Sequence, residues 1–337
     1  MRMHAKEKPG ARLTMTRFSK PLLGALLVTT LSIMGIAGAR AADKVRLGKA
    51  QGGAWTFLVA DIGLEAGIFA RYGIDLDIID LAGDAKVQQA FAAGSIDFGL
   101  GSGPGLAFAA KGSPVIGVAV FAGAPRNIAA TVRFDSPIKS VAGLKGKRIA
   151  VSTVGSLSDW LARQMAITEG WGPNGITAVP LGAIASSVAA LIAGQVDAVV
   201  LATEAGFQLE DRHEGRVLVG MDKYAPHFIT HVIFTRKRIL ADNPGLIDRF
   251  LKGFFASIVF AKDNKDKMSE AAERIIHQSP AVAERTYDYE ISMLSEDGRF
   301  DRAAVEALKA SFVEMGTLTT KPSDDELFTT RFLPVKP

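Results

Sequence analysis

The chain has 337 residues, 48% hydrophobic and 22% charged, with a formal net charge of +4 and no cysteine. Without a thiol it holds no disulfide, no cysteine nucleophile, no thiolate metal or iron–sulfur site and no lipidated N-terminal cysteine. Residues 1–41 carry seven of its 39 basic side chains and one of its 35 acidic ones, so the rest holds 32 against 34, a net of −2 that excludes a nucleic-acid footprint.

Residues 1–20 are basic and polar, Pro21–Ala39 are almost wholly apolar, and Ala39-Arg40-Ala41 supplies a small-x-small cleavage pattern. That order defines a secretory signal. A membrane anchor is the competing reading of the apolar run, but Pro21, Gly24, Gly35 and Gly38 weaken it as a spanning helix. Cleavage after Ala41 is expected, leaving an untethered protein suited to a periplasm. The remaining length suffices for two lobes of ordinary domain size.

From Val45 onward, short β-type runs alternate with helical segments. Val45–Ala50 reads as a strand, Trp55–Tyr72 as one helix ending at Gly73, and Ile74–Leu81 as a half-wet strand. Asp84 is placed as the N-cap of a helix over Lys86–Ala93 that stops at Gly94. Ile96–Leu100 is a strand, Leu106–Lys111 a short helix and Val115–Phe121 a strand. A second round follows: strand Arg148–Ser152, helix Ser156–Gly170, strand Ile176–Leu181, helix Ser186–Ala193 stopped by Gly194, and strand Val196–Leu201. This alternation argues for parallel βαβ units.

The two rounds are copies. Phe91-Ala-Ala-Gly94-Ser-Ile-Asp97 matches Leu191-Ile-Ala-Gly194-Gln-Val-Asp197 at a constant offset, which Leu81 and Leu181 share. Two similar lobes facing one crevice are therefore expected. Asn127–Phe134 and Phe228–Thr235 read as crossover strands between them. From Asn243 the chain reads as helices over Gly245–Lys262, Met268–His277, Val282–Leu294 and Ala303–Met315. The domains are then 1–41 signal, 42–126 first lobe, 127–232 second lobe, and 233–337 a return crossover with C-terminal helices packing mainly on the first lobe.

No catalytic constellation stands out. There is no Gly-x-Ser-x-Gly elbow, and Gly99–Gly105 follows a third strand with the wrong spacing for a dinucleotide loop. His227 and His231 are four apart, a ligand spacing on a helix, but Pro226 and the β-branched run that follows argue against a helix, so the two rings do not share a face and neither is read as a metal ligand. Asp75, Asp77 and Asp80 are the wet face of a strand. No metal and no cofactor are expected.

Four loops beyond strand ends remain as binding elements. Gln51, Gly53 and Trp55 form the first, with Trp55 either a flat wall for a ligand or a core residue. Ser102 and Gly103 form the second. Thr153, Gly155, Ser156 and Ser158 form the third, whose hydroxyls cap the next helix or meet an anion. Glu204 lies in the fourth and either binds a cationic group or stands as a surface carboxylate near a helix start. Arg126, before the first crossover, is placed to meet an anion or is a solvated hinge residue. His227 completes the candidate ligand contacts.

Several stretches carry a family resemblance: Glu65-Ala-Gly-Ile-Phe-Ala-Arg-Tyr-Gly-Ile74, Ala92-Ala-Gly94-Ser-Ile-Asp97-Phe-Gly99, Asp135 to Val151, and Ala193-Gly194-Gln-Val-Asp197. In this order they resemble the solute-binding proteins of nitrate/sulfonate/taurine ABC importers, a group that includes pyrimidine-precursor-binding-like proteins. The resemblance implies an α/β, two-lobed type II periplasmic binding fold with a ligand cleft between the lobes. It implies a receptor that closes around one ligand rather than an enzyme, with a permease and its ATPase as partners of a monomer, and it does not fix the ligand. The helix-start N–H groups, the loop hydroxyls and Arg126 point to a small anion (sulfonate, taurine, nitrate or carboxylate class). The rivals are a pyrimidine-precursor-synthase-like enzyme on the same fold and a periplasmic sensory protein.

Overall fold

The computed structural model describes residues 42–337 except 82 and 155. The expected signal segment and Gly155 of the third loop lie outside the described residues. No helix among the described residues is long and apolar enough to cross a membrane.

Ten strands form two sheets of five. They are β1 (Asp43–Lys49), β2 (Ile74–Asp80), β3 (Phe98–Ser102), β4 (Val115–Ala122), β5 (Ile128–Arg133), β6 (Arg148–Val151), β7 (Thr177–Pro180), β8 (Ala198–Ala202), β9 (Gly215–Gly220) and β10 (His231–Arg236). The first sheet runs β2-β1-β3-β10-β4 and the second β7-β6-β8-β5-β9. In each, three parallel strands are followed by one antiparallel strand that arrives from the other sheet's half of the chain. β4 is buried at every residue, as its unbroken apolar sequence VIGVAVFA requires of a strand covered on both faces. β9, left unassigned from sequence, closes the second sheet as β4 closes the first.

The helices are α1 (Leu58–Glu65), α2 (Ile68–Arg71), α3 (Asp84–Ala92), α4 (Leu106–Ala110), α5 (Leu157–Thr168), α6 (Ile184–Ile192), α7 (Thr203–Asp211), α8 (Lys237–Asp242), α9 (Pro244–Asp263), α10 (Lys265–Ile276), α11 (Pro280–Glu290), α12 (Arg302–Glu314) and α13 (Asp324–Leu327). The single helix expected over Trp55–Tyr72 is divided, because Gly67 takes a left-handed conformation (φ 65°) between α1 and α2. Asp84 is not an N-cap. Gly83 (φ 98°) holds that position, and the Asp84 carboxylate instead accepts the Ser102 N–H at 2.9 Å and hydroxyl at 2.6 Å.

The internal repeat is reproduced bond by bond. Asp97 N–H donates to Arg46 O (2.8 Å) while its carboxylate accepts Arg46 N–H (3.0 Å). Asp197 and Arg148 exchange the same pair at 2.9 Å each. Gly94 and Gly194 end α3 and α6 at φ 69° and 70°. Each is followed by a residue whose N–H returns to the carbonyl of Ala90 or Ala190 at 2.9 Å, the left-handed helix stop that favours glycine.

Two crossovers join the sheets, 123–127 from β4 to β5 and 221–230 from β9 to β10. They lie side by side, the Thr230 N–H donating to Ala122 O and Gly123 O at 3.1 Å. The C-terminal helices wrap this frame. α9, opened by Pro244 with the Asn243 side chain accepting Leu246 N–H at 3.2 Å, buries Phe250, Phe254, Phe255 and Ile258. Phe250 stacks on Phe98 of β3 with ring centroids 3.9 Å apart. Each such side chain stabilises the first lobe by about 1.5–3 kcal/mol.

Candidate functional site

The candidate site begins where the crossovers meet the strand ends. His231 opens β10 opposite Ser102 of β3. Its ring stacks on Phe121 (5.2 Å, 15°), and its Nε2 lies 3.0 Å from Asn127 Nδ2 and 3.1 Å from Thr56 Oγ1. The Asn127 amide nitrogen can only donate, so Nε2 accepts and the ring is neutral. Burial favours the same state, pushing the imidazole down to about 3.

The first loop reaches the second lobe directly. Gln51 and Gly53 are exposed, but Trp55 is fully buried and its N–H donates to Glu204 Oε1 at 3.2 Å. The indole stands edge-on to Tyr287 of α11, centroids 6.0 Å apart. Trp55 is thus a buried core residue, the second of its two sequence readings.

Ser102 is committed to the frame through Asp84, and its Oγ accepts Gly105 N–H at 3.3 Å. Gly103 donates to Thr230 O at 2.9 Å, and a Cβ there would sit 2.0 Å from Ile229 O, so glycine permits the crossover to pass. In the third loop Thr153 is exposed and Ser156 caps α5 by accepting Asp159 N–H at 3.3 Å. Ser158 Oγ accepts Ser152 N–H (2.9 Å) and lies 3.0 Å from both the Ser152 and Ser156 hydroxyls. Those hydroxyls bind one another.

Glu204 is buried, not a surface carboxylate. It lies in the first turn of α7, whereas Glu290 ends α11, and the two buried carboxyls influence each other's protonation. Desolvation pushes Glu204 up to about 6. Burial, then the Glu204 charge, pushes Glu290 well above its ordinary value. Arg126 attracts Glu290 electrostatically, while its Nη1 donates to Ser292 Oγ at 3.1 Å and its guanidinium lies 5.0 Å from the Tyr289 ring centre.

A cavity of about 110 Å³ opens here, lined by Gly53 on one side and Ala202, Glu204, Ala205 and Gln208 on the other, with Ile184, Ile276 and Gln278. Around it are buried polar atoms without a protein partner: Trp55 Nε1, Asn127 Oδ1, Glu204 Oε2 and both amide atoms of Gln278. Such atoms are uncommon in folded proteins, and their concentration marks the site. His227 is elsewhere, exposed in a groove of about 240 Å³ with Trp160, Tyr224 and Glu314. Among the described residues no group of three or more His, Asp or Glu side chains is arranged to hold a metal.

The structure therefore brings Gly53, Trp55 and Glu204 together and Arg126 near enough to attract Glu290, whereas the serine loop bonds within itself and His227 lines a different groove. Sequence reasoning missed Asn127, His231 as a cleft residue, Gln278 and Glu290. A polar residue heading an apolar crossover strand is a usable signal for Asn127. Glu290, in helical sequence, and Gln278, in the link between two helices, have none, since both are far from every strand end.

No curated protein matches the chain by sequence. Among solved structures, the chain is similar to the alkanesulfonate-binding protein SsuA from Xanthomonas axonopodis pv. citri bound to MOPS (19% identity, TM-score 0.71, 88% of this chain and 98% of that one). It is similar to the periplasmic aliphatic sulphonate-binding protein SsuA from Escherichia coli (20% identity, TM-score 0.73, 85% and 92%). The desulfurization enzyme DszB also shares the fold (16% identity, TM-score 0.61, 86% and 97%). These likenesses give the two-lobed periplasmic binding fold, each lobe a five-stranded sheet flanked by helices. The family model described as NMT1/THI5 like matches residues 57–268, more than half of the sequence. The chain belongs to the NMT1/THI5-like family.

Proposed function

We propose that this protein is a periplasmic solute-binding receptor of an ABC importer, which captures a small organic anion and delivers it to a membrane permease with its ATPase. In this reading residues 1–41 are a cleaved export signal. Residues 42–126 with the return over 233–337 form one lobe, residues 127–232 form the other, and the mature chain is a monomer. The observation that carries it is the Trp55–Glu204 hydrogen bond across the cleft, closing over buried polar atoms that have no protein partner. A ligand touching both lobes only when they are closed shifts an open–closed equilibrium, the adjacent crossovers serving as the hinge.

The two SsuA proteins, named for binding sulfonates, support the ligand class, and Arg126 beside Glu290 supplies a cation for it. Catalysis by His231 as a base is poorly supported, because a ring held neutral down to about 3 is a weak proton acceptor.

The test is a thermal-shift screen of alkanesulfonates, taurine, nitrate and small carboxylates, with small-angle scattering on any binder. Stabilisation together with a smaller radius of gyration is expected. Turnover of a bound solute, or no binding by any small solute, overturns the receptor reading.

A further inference from the structure

Glu204 and Glu290 are out of place in a receptor for a simple anion. They come from separate segments, α7 and α11, and are 5% and 0% exposed. Glu204, pushed up to about 6, carries a charge at neutral pH, and that charge favours the protonated form of Glu290. The Glu204 carboxyl meets the backbone N–H groups of Trp55 and of Glu204 itself, while Glu204 Oε2 and both Glu290 oxygens are without a donor among the described residues. Arg126 attracts Glu290, but its own contacts are with Ser292, Tyr289 and, at 4.0 Å, Asp222.

Independent atoms converge on the same place. Gln278, 5% exposed, lines the cavity with Glu204 and leaves both amide atoms unpartnered. The buried Trp55 indole N–H is unpartnered too. A buried negative charge with no cation bonded to it is unfavourable, and a plain anion in the same cavity adds like charge to it. A cationic nitrogen reverses both, giving charge-assisted hydrogen bonds to the carboxyls and a further donor for the Gln278 carbonyl.

We propose that the solute carries a protonated amino or amidinium nitrogen received between Glu204 and Glu290, so that the protein selects amino-bearing organic anions over their amine-free counterparts. This rests on the receptor reading above and names the part of the ligand that the acidic pair holds.

Matched pairs test it: taurine against ethanesulfonate and γ-aminobutyrate against butyrate, by calorimetry and thermal shift, within a wider screen of small solutes. The binders are expected to carry the cationic nitrogen, with Kd at least tenfold lower than for the amine-free member. Glu204→Gln, which keeps an oxygen for the Trp55 N–H, is expected to abolish that ratio, and Glu290→Gln serves if the first variant folds poorly. Equal binding of ethanesulfonate or butyrate, binding confined to solutes without a cationic nitrogen, or an unchanged ratio in both variants overturns the proposal and leaves a receptor standing. Absence of any small-solute binder overturns the receptor reading instead.

Discussion

At the base of the first sheet Asp97 accepts three hydrogen bonds from Arg46, at 3.0, 3.1 and 3.0 Å, and pairs with Arg236. At the base of the second, Asp197 accepts the Arg148 N–H at 2.9 Å, and the guanidinium stands off at 3.5 Å. The scaffold is the same, but the first copy is enclosed and the second is wet. At the crests the copies diverge further. Ser102 and Gly103 of the first repeat correspond to Ala202 and Thr203 of the second, since Gly103 N–H bonds Thr230 O where Thr203 N–H bonds Asn127 O. In the first lobe Lys49 is buried between Asp61 and Asp80, whereas three serine hydroxyls occupy the corresponding strand end of the second. Duplication preserved the bonds that set strand spacing and helix stops. It left the loop chemistry free to differ, which lets one cleft offer unlike walls to a ligand.

The largest expected effect comes from breaking the base of each sheet in turn. Burial alone pushes the Asp97 carboxyl up, yet the bonds and charges of Arg46 and Arg236 hold it below the usual range. Asp97→Ala is expected to cost about 3 kcal/mol, because it strands partly buried guanidinium groups. Asp197→Ala, at a more exposed ion pair, is expected to cost about 1 kcal/mol. Denaturant unfolding of the two variants checks this, and equal losses would remove the distinction between enclosed and wet copies.

A smaller effect is expected at the acidic pair, which has no equivalent in the first repeat. Both carboxyls hold protons more tightly folded than unfolded, so their contribution is complete below the unfolded value near 4.5 and is lost as pH rises, through about 6 for Glu204. Glu290→Gln, which cannot ionise, is expected to be more stable than the parent at pH 7.5, with the gain gone at pH 4.5. Melting curves across that window decide it; a gain that grows toward acid has the wrong sign for this pair. His231 loses stability for the folded state toward acid, being depressed to about 3, but it does so equally in both proteins and cancels from the difference.

The smallest effect sharpens the likeness. Gly94→Ala and Gly194→Ala each force a side chain into a left-handed helix stop and are expected to cost about 1 kcal/mol apiece. The two midpoints should fall together within error, and a clear inequality would mean that the stops are not equivalent.

The duplicated frame was legible in the chain because it rests on local rules. A glycine ends a helix at positive φ, an aspartate three residues later ties the next strand, and apolar runs fill strands covered on both faces, so the constant offset predicted two like sheets. The break at Gly67 and the displacement of Asp84 by Gly83 were not legible. Gly67 sits within an otherwise acceptable helical pattern and Gly83 in the link between a strand and a helix, and that both take positive φ depends on how the chain turns against the sheet. Of the candidate site, the strand-end rule located Gly53, Trp55 and Glu204. It could not say that Glu204 is buried, nor that Glu290 faces it from α11. Burial and pairing across 86 positions of chain belong to no local pattern. They arise only when the C-terminal helices fold back over the cleft, and that return is what turns an ordinary helix-end carboxylate into one that holds its proton up to about pH 6.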